Sequence, residues 1–207
     1  CEMAMAGDAT VAHIETYMGL VEVGVGLIPA GGGLKELVRR VITPLMAANQ
    51  NNDVLPKLQD IFQNVATAKV SASAQEAVDL GYLADPDHIV MNRAYLLGEA
   101  KQLALEMADG YVPKQPEKVW AAGRDAYAAL LIAIESFREG HYATDHDALI
   151  AKKVAYVLTG GALSQPQWVD QQMLLDLERQ GFVELIQHEK SQQRIMYMLA
   201  NNKPLRN

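Results

Sequence analysis

Residues 19–33 read GLVEVGVGLIPAGGG: a short apolar run, one carboxylate (Glu22), a proline and three consecutive glycines. Glycine opens backbone conformations closed to other residues and lets neighbouring groups approach the main chain. Pro29 fixes one dihedral and removes a donor, which stiffens the entry to the glycines. The LKELVRRV that follows has helical spacing, so the glycines are expected at a helix N-terminus. Backbone N–H groups there point outward and favour negative charge. A carboxylate in apolar company beside such a turn is expected to have a raised pKa, in a range useful for proton transfer. Two plainer readings compete. Gly26 and Gly31 begin a phosphate-binding spacing, but Gly32 and Gly33 stand where that loop needs Lys and Ser or Thr. The other is a bare turn between strand and helix, with Glu22 as a solvated side chain.

Before this stretch, ATVAHIE alternates with period two through Thr10, Ala12 and Ile14, a strand signal, and the small residues of CEMAMAGD suit a close-packed helix. Asp8 reads as a turn or cap residue. Only residues 1–33 show clear strand character. After Gly33, residues Leu34, Leu37, Val38, Val41 and Ile42 share one helical face, and Pro44 is expected to kink or end that helix. Leu55, Leu58, Ile61, Phe62 and Val65 mark a second amphipathic helix. Ser73 with Glu76 forms a capping box, and Gly81 supplies the stop. Longer helices are expected over 93–109, 118–139, the stretch opened by Thr144 and Asp147, 170–187 and 189–201, with Pro113, Pro116, Gly160, Gly161 and Pro166 as breaks. The fold class is predominantly α with a small β portion.

With 207 residues, half of them hydrophobic and 21% charged, the chain suits one soluble domain with a helical extension. Its net charge of −7 argues against a nucleic-acid partner or an anionic membrane surface. Cys1 is the only cysteine, so no intrachain disulfide forms, and a cytoplasmic location is expected. No stretch has the length and apolarity of a membrane span. His141, Asp145, His146 and Asp147 lack a recognised ligand spacing, so no metal is expected. His13 and His188 read as surface residues, Met196 and Met198 as core packing, and Lys203 and Arg206 as a solvated tail.

CEMAMAGDATVA followed by MGLVEVGVGLIPAGGGLKELVRR resembles the active-site region of the enoyl-CoA hydratase (crotonase) superfamily, whose members read GGGCELA and then P-E-x-x-x-G-x-x-P-G-x-G-G. Val21 stands where that pattern has proline, and Ala30 replaces its first glycine after Pro29. The tail LLDLERQGFVELIQHEKSQQRIMYMLANNKPLRN resembles hydratase modules of bifunctional proteins that carry a 3-hydroxyacyl-CoA dehydrogenase. The resemblance implies an incomplete ββα spiral over residues 1–92, the C-terminal part of a crotonase core, and a helical C-terminal region over 93–207. It implies hydration of 2-enoyl-CoA, with Glu2 activating water and Glu22 delivering the proton. Pro29, Ala30 and Gly31 would touch substrate. By the same resemblance hydration needs no cofactor, and NAD enters only with a fused dehydrogenase domain. The partners implied are an acyl-CoA, the missing N-terminal half of the module and further copies in a homo-oligomer. The resemblance also makes the chain a fragment, inactive by itself because both oxyanion amides precede Cys1. Enoyl-CoA isomerisation and a non-catalytic helical assembly module remain open as alternatives.

Overall fold

The computed structural model describes residues 1–84 and 88–207. A short helix α1 (Glu2–Met5) leads to a strand of two residues, β1 (Ala12–His13), which pairs in parallel with β2 (Ile89–Val90). A 3₁₀ turn, Glu22–Val25, then delivers the chain to the glycines. Gly33 opens α2 (Gly33–Leu37), which passes through one π-helical turn, Val38–Ile42, into α3 (Thr43–Ala48). Pro44 therefore does not end the helical run. It occupies the first turn of α3, where its missing N–H has no intrahelical duty. Next come α4 (Leu55–Ala66) and α5 (Ala74–Asp79). Ser73 caps α5 by accepting from the Glu76 N–H, and the Glu76 carboxylate reaches back to the Ala72 N–H.

After β2, the 3₁₀ turn Arg93–Tyr95 runs into α6 (Leu96–Ala108), a helix with no buried residue. The helix expected over 118–139 begins late, because Val119–Ala121 forms strand β3 ahead of α7 (Gly123–Glu139). Gly123 separates the two at φ +74°, and a Cβ there would lie 2.8 Å from the Gln165 backbone. Then follow α8 (Asp145–Leu158), β4 (Gln167–Val169), α9 (Gln171–Ile186) and α10 (Glu189–Asn201). Strand β4 pairs antiparallel with β3, setting Trp120 against Trp168 edge to face at 5.3 Å. Strand character is thus not confined to residues 1–33. The β-branched and aromatic residues of these two segments needed each other to show it.

The capping box at Thr144 and Asp147 forms as its spacing predicts, with both reciprocal bonds made. Helix α8 is the spine of the molecule. It packs on α7, α4, α9 and α2, and Ile150, Val154, Val157 and Leu158 are buried against them. The apolar faces at Leu34–Leu37 and at Leu58, Ile61, Phe62 and Val65 are covered within the chain. The predominantly α reading stands. Among the described residues the β structure amounts to two short two-stranded pairings, and no ββα spiral is present.

Candidate functional site

The site grows from the turn that precedes α2. Gly32 adopts φ +104°, which an L side chain resists, and the N–H groups of Gly31, Gly32, Gly33 and Lys35 all donate to carboxylates. Negative charge is drawn there, as expected, but the chain supplies its own. One oxygen of Glu2 accepts from the N–H groups of both Gly31 and Gly33, each at 2.8 Å. A Cβ on Gly31 would lie 2.6 Å from that carboxylate, so a larger residue there would push the Glu2 side chain aside. From the other side Glu178 of α9, fully buried, accepts from the Gly32 N–H through one oxygen and the Lys35 N–H through the other, both at 2.8 Å. Four backbone donors are thus shared between two carboxylates.

Glu22 is the third carboxylate. It begins the 3₁₀ turn, is half-buried, and its Oε2 is buried with no hydrogen-bond partner among the described residues. Burial raises its pKa above the usual carboxylate value, backbone N–H bonds oppose this, and the charge of Glu2 adds to it. Tyr82, buried beside it, has its hydroxyl pushed up by its own burial and by the Glu22 charge. Glu2 and Glu22 are therefore brought within electrostatic reach of one another. Pro29 is buried, Ala30 half-buried and Gly31 exposed, so only the last two offer surface to a ligand.

Glu178 has the strongest upward shift. Burial pushes its carboxyl up to about 7, against the two N–H bonds and Lys35, with Glu2 adding to the rise. Its role was not read from the sequence, although a signal existed. Leu174, Glu178, Gly181 and Leu185 form one buried stripe of α9, and a carboxylate on such a stripe demands a partner. Gly181 brings α9 close, since a Cβ there would meet Ile28 at 2.6 Å.

Directly after the turn, Glu36 is buried among Lys35, Arg39 and Arg40. Arg40 also donates to the carbonyls of Tyr82 and Met5, tying α1 to the wall of the site. The histidine and aspartate group at 141–147 does not converge. His146 is buried against Ser191 and stacks on His188 at 4.6 Å, Asp147 serves Thr144 and Arg194, and His141 and Asp145 are exposed. Among the described residues no group of three His, Cys, Asp or Glu is placed to hold a metal ion. His13 is half-buried rather than on the surface. No described helix is long and apolar enough to cross a membrane.

No protein-family model matches the chain. It is similar to a Bacillus subtilis protein named "Probable 3-hydroxyacyl-CoA dehydrogenase", 46% identical over 201 residues, or 95% of this chain. A Rickettsia felis protein named "Putative fatty acid oxidation complex trifunctional enzyme" is 30% identical over 105 residues, 51% of this chain. The chain spans 24% of the first relative's length and 13% of the second's. The first relative, similar along nearly the whole chain, is named as a dehydrogenase, an oxidoreductase rather than a lyase. That finding corrects the assignment to a crotonase hydratase module, the enoyl-CoA hydratase activity read from it, and the isomerase and assembly alternatives. The physical reason lies in the motif. A proline, glycines and a carboxylate at a turn into a helix are a local device, here closed by the chain's own Glu2 and Glu178.

Proposed function

We propose that this chain is a mainly helical segment of a 3-hydroxyacyl-CoA dehydrogenase acting in fatty-acid oxidation. The observation that carries this reading is the 46% identity maintained over 95% of the chain to a protein of that name. The reaction takes a hydride from C3 of the 3-hydroxyacyl-CoA to NAD and releases the hydroxyl proton. A dinucleotide is ordinarily held by a glycine-rich turn between a strand and a helix of a parallel sheet, its phosphates on free N–H groups. The described residues do not fit that group. Their glycine N–H groups are taken by Glu2 and Glu178, and their one parallel pairing is two residues long. In this reading NAD is held elsewhere in the protein.

The segment's own contribution is proposed at Glu22. Its unpartnered oxygen and raised pKa suit a group that exchanges a proton beside an acyl-CoA. Glu2 is proposed to assist it by holding the turn and by its charge, and Ala30 and Gly31 to face substrate while buried Pro29 stiffens the turn. Residues 1–92, which carry these groups, and the helical residues 93–207 are proposed as two functional parts. Self-association is proposed through α6, whose Leu97 and Leu105 are largely exposed.

The test is a chimera in which this chain replaces the matching segment of the Bacillus subtilis protein. NADH formation from a 3-hydroxyacyl-CoA is expected to continue in the chimera. Glu22→Gln in it should lower kcat by about 10²-fold, the scale of a lost acid–base group. A folded chimera with no oxidation would overturn the dehydrogenase reading. Unchanged kcat in the Glu22 variant would remove Glu22 from the chemistry.

A further inference from the structure

Two contacts from the last helices reach the Glu22 segment across most of the chain. At one end, Ser191 of α10 donates its hydroxyl to the carbonyl of Gly26, the residue that closes the 3₁₀ turn begun by Glu22. Both atoms are buried. Gly26 sits at φ +86°, and a Cβ there would lie 2.9 Å from the Ser191 Cα, so only glycine admits α10 at this distance. The serine has one proton and gives it to Gly26. His146 of α8, 3.0 Å away, must then present Nε2–H to the same oxygen. At the other end, Glu178 of α9 takes the N–H groups of Gly32 and Lys35. Residues 22–35 are thus held by a carbonyl clamp and an N–H clamp, 165 and 146 residues away in sequence. Neither Ser191 nor Glu178 touches the Glu22 carboxylate in any hydrogen bond.

We propose that Ser191 and Glu178 are positioning residues, through which α9 and α10 set the environment of the Glu22 carboxylate. The functional meaning rests on the reading of Glu22 as a proton-exchanging group, whereas the positioning itself does not. The groups that face Glu22 electrostatically are Glu2, on the α1 side, and Tyr82. Those facing Glu178 are Glu2 and Lys35. If the clamps loosen, water reaches Glu22 and its titration returns towards 4.5, the value from which burial raises it.

The experiment is a carbon-13 NMR titration of the full chain labelled at the glutamate carboxyl carbons, with the Glu22 signal assigned by its loss in Glu22→Gln. In the unaltered chain Glu22 is expected to titrate above ordinary glutamates. Ser191→Ala and Glu178→Gln should each lower that midpoint towards the ordinary glutamate value, because burial is the first cause of its rise. A structural role alone would change stability and leave the midpoint where it is. Amide nitrogen-15 spectra give a second readout, since the Gly32 and Lys35 signals should follow Glu178 ionisation in the unaltered chain and lose that dependence in Glu178→Gln. Unchanged Glu22 midpoints in folded variants would overturn the proposal. Should Glu178→Gln fail to fold, the smaller Ser191→Ala change decides alone. Because the titration reads no turnover, it separates this proposal from the dehydrogenase reading. A silent chimera with a shifted Glu22 midpoint would remove the function and keep the clamps.

Discussion

Two buried carboxylates lie on either side of the same glycine turn, and they behave in opposite ways. Glu178 meets the turn itself and is pushed up to about 7, whereas Glu36, one helical turn along, is held at about 2. Burial raises both. The difference lies in what answers it. Glu178 receives two backbone N–H groups and a more distant Lys35, while Glu36 is gripped by Arg39, Lys35 and Arg40. Asp147 is intermediate in its partners, one backbone N–H and one cation. Burial raises it too, but the Thr144 backbone N–H and one guanidinium, that of buried Arg194, bring it below the ordinary value. In this molecule neutral dipoles seat a buried charge, and full cations decide its protonation. The turn is left as the region that titrates near neutrality, and the helix after it as the region that does not.

The largest effect is expected where the cations lose their anion. Glu36→Gln leaves Arg40, itself nearly buried, without its counter-charge, and should cost about 3 kcal/mol at neutral pH in urea unfolding. The sign against pH follows from the depressed carboxyl. Stability from Glu36 is present above 4.5 and is lost as pH falls through about 2. A variant as stable as the parent would mean the three cations are satisfied by solvent. A comparable effect of opposite sign belongs to Glu178, whose pKa rises from 4.5 to about 7. Its contribution is present below 4.5 and is lost as pH rises through about 7, a change of about 3 kcal/mol. The stability difference between the parent and Glu178→Gln should therefore drift by that amount between about pH 4 and pH 8. A flat difference would place both regions in one class. The smallest effect is expected at the intermediate case. Thr144→Ala removes a cap hydroxyl while leaving Arg194 on Asp147, and should cost about 1 kcal/mol by thermal or urea unfolding.

What proved legible in the residues was mostly local. Thr144 with Asp147 and Ser73 with Glu76 act over three positions, so their spacing alone locates two helix starts. The apolar faces at Leu34–Leu37 and Leu58–Val65 follow from the period of the helix. Pro44 did not end the helix, because it falls in the first turn of α3 and the π turn before it sets where that turn begins. Val119 to Ala121 misled because a three-residue strand is defined by its partner, nearly fifty residues on, rather than by its own pattern. The function misled because a short glycine and carboxylate motif resembles more than one family, and the relative's name, not the motif, separated them.

By itself the sequence determined a mainly helical chain, a glycine turn at a helix start and a carboxylate beside it, since each rests on contacts within about a turn of chain. Only the tertiary structure decided what fills that turn. Glu2 comes from 29 and Glu178 from 146 residues away, and no periodicity carries information over such distances. Packing of α9 through Gly181 brought Glu178 in, α10 seats against Gly26 at the other end of the segment, and α1 supplies Glu2. The protonation of a carboxylate is set by water, dipoles and charges within a few ångströms, and the folded neighbours alone supply those.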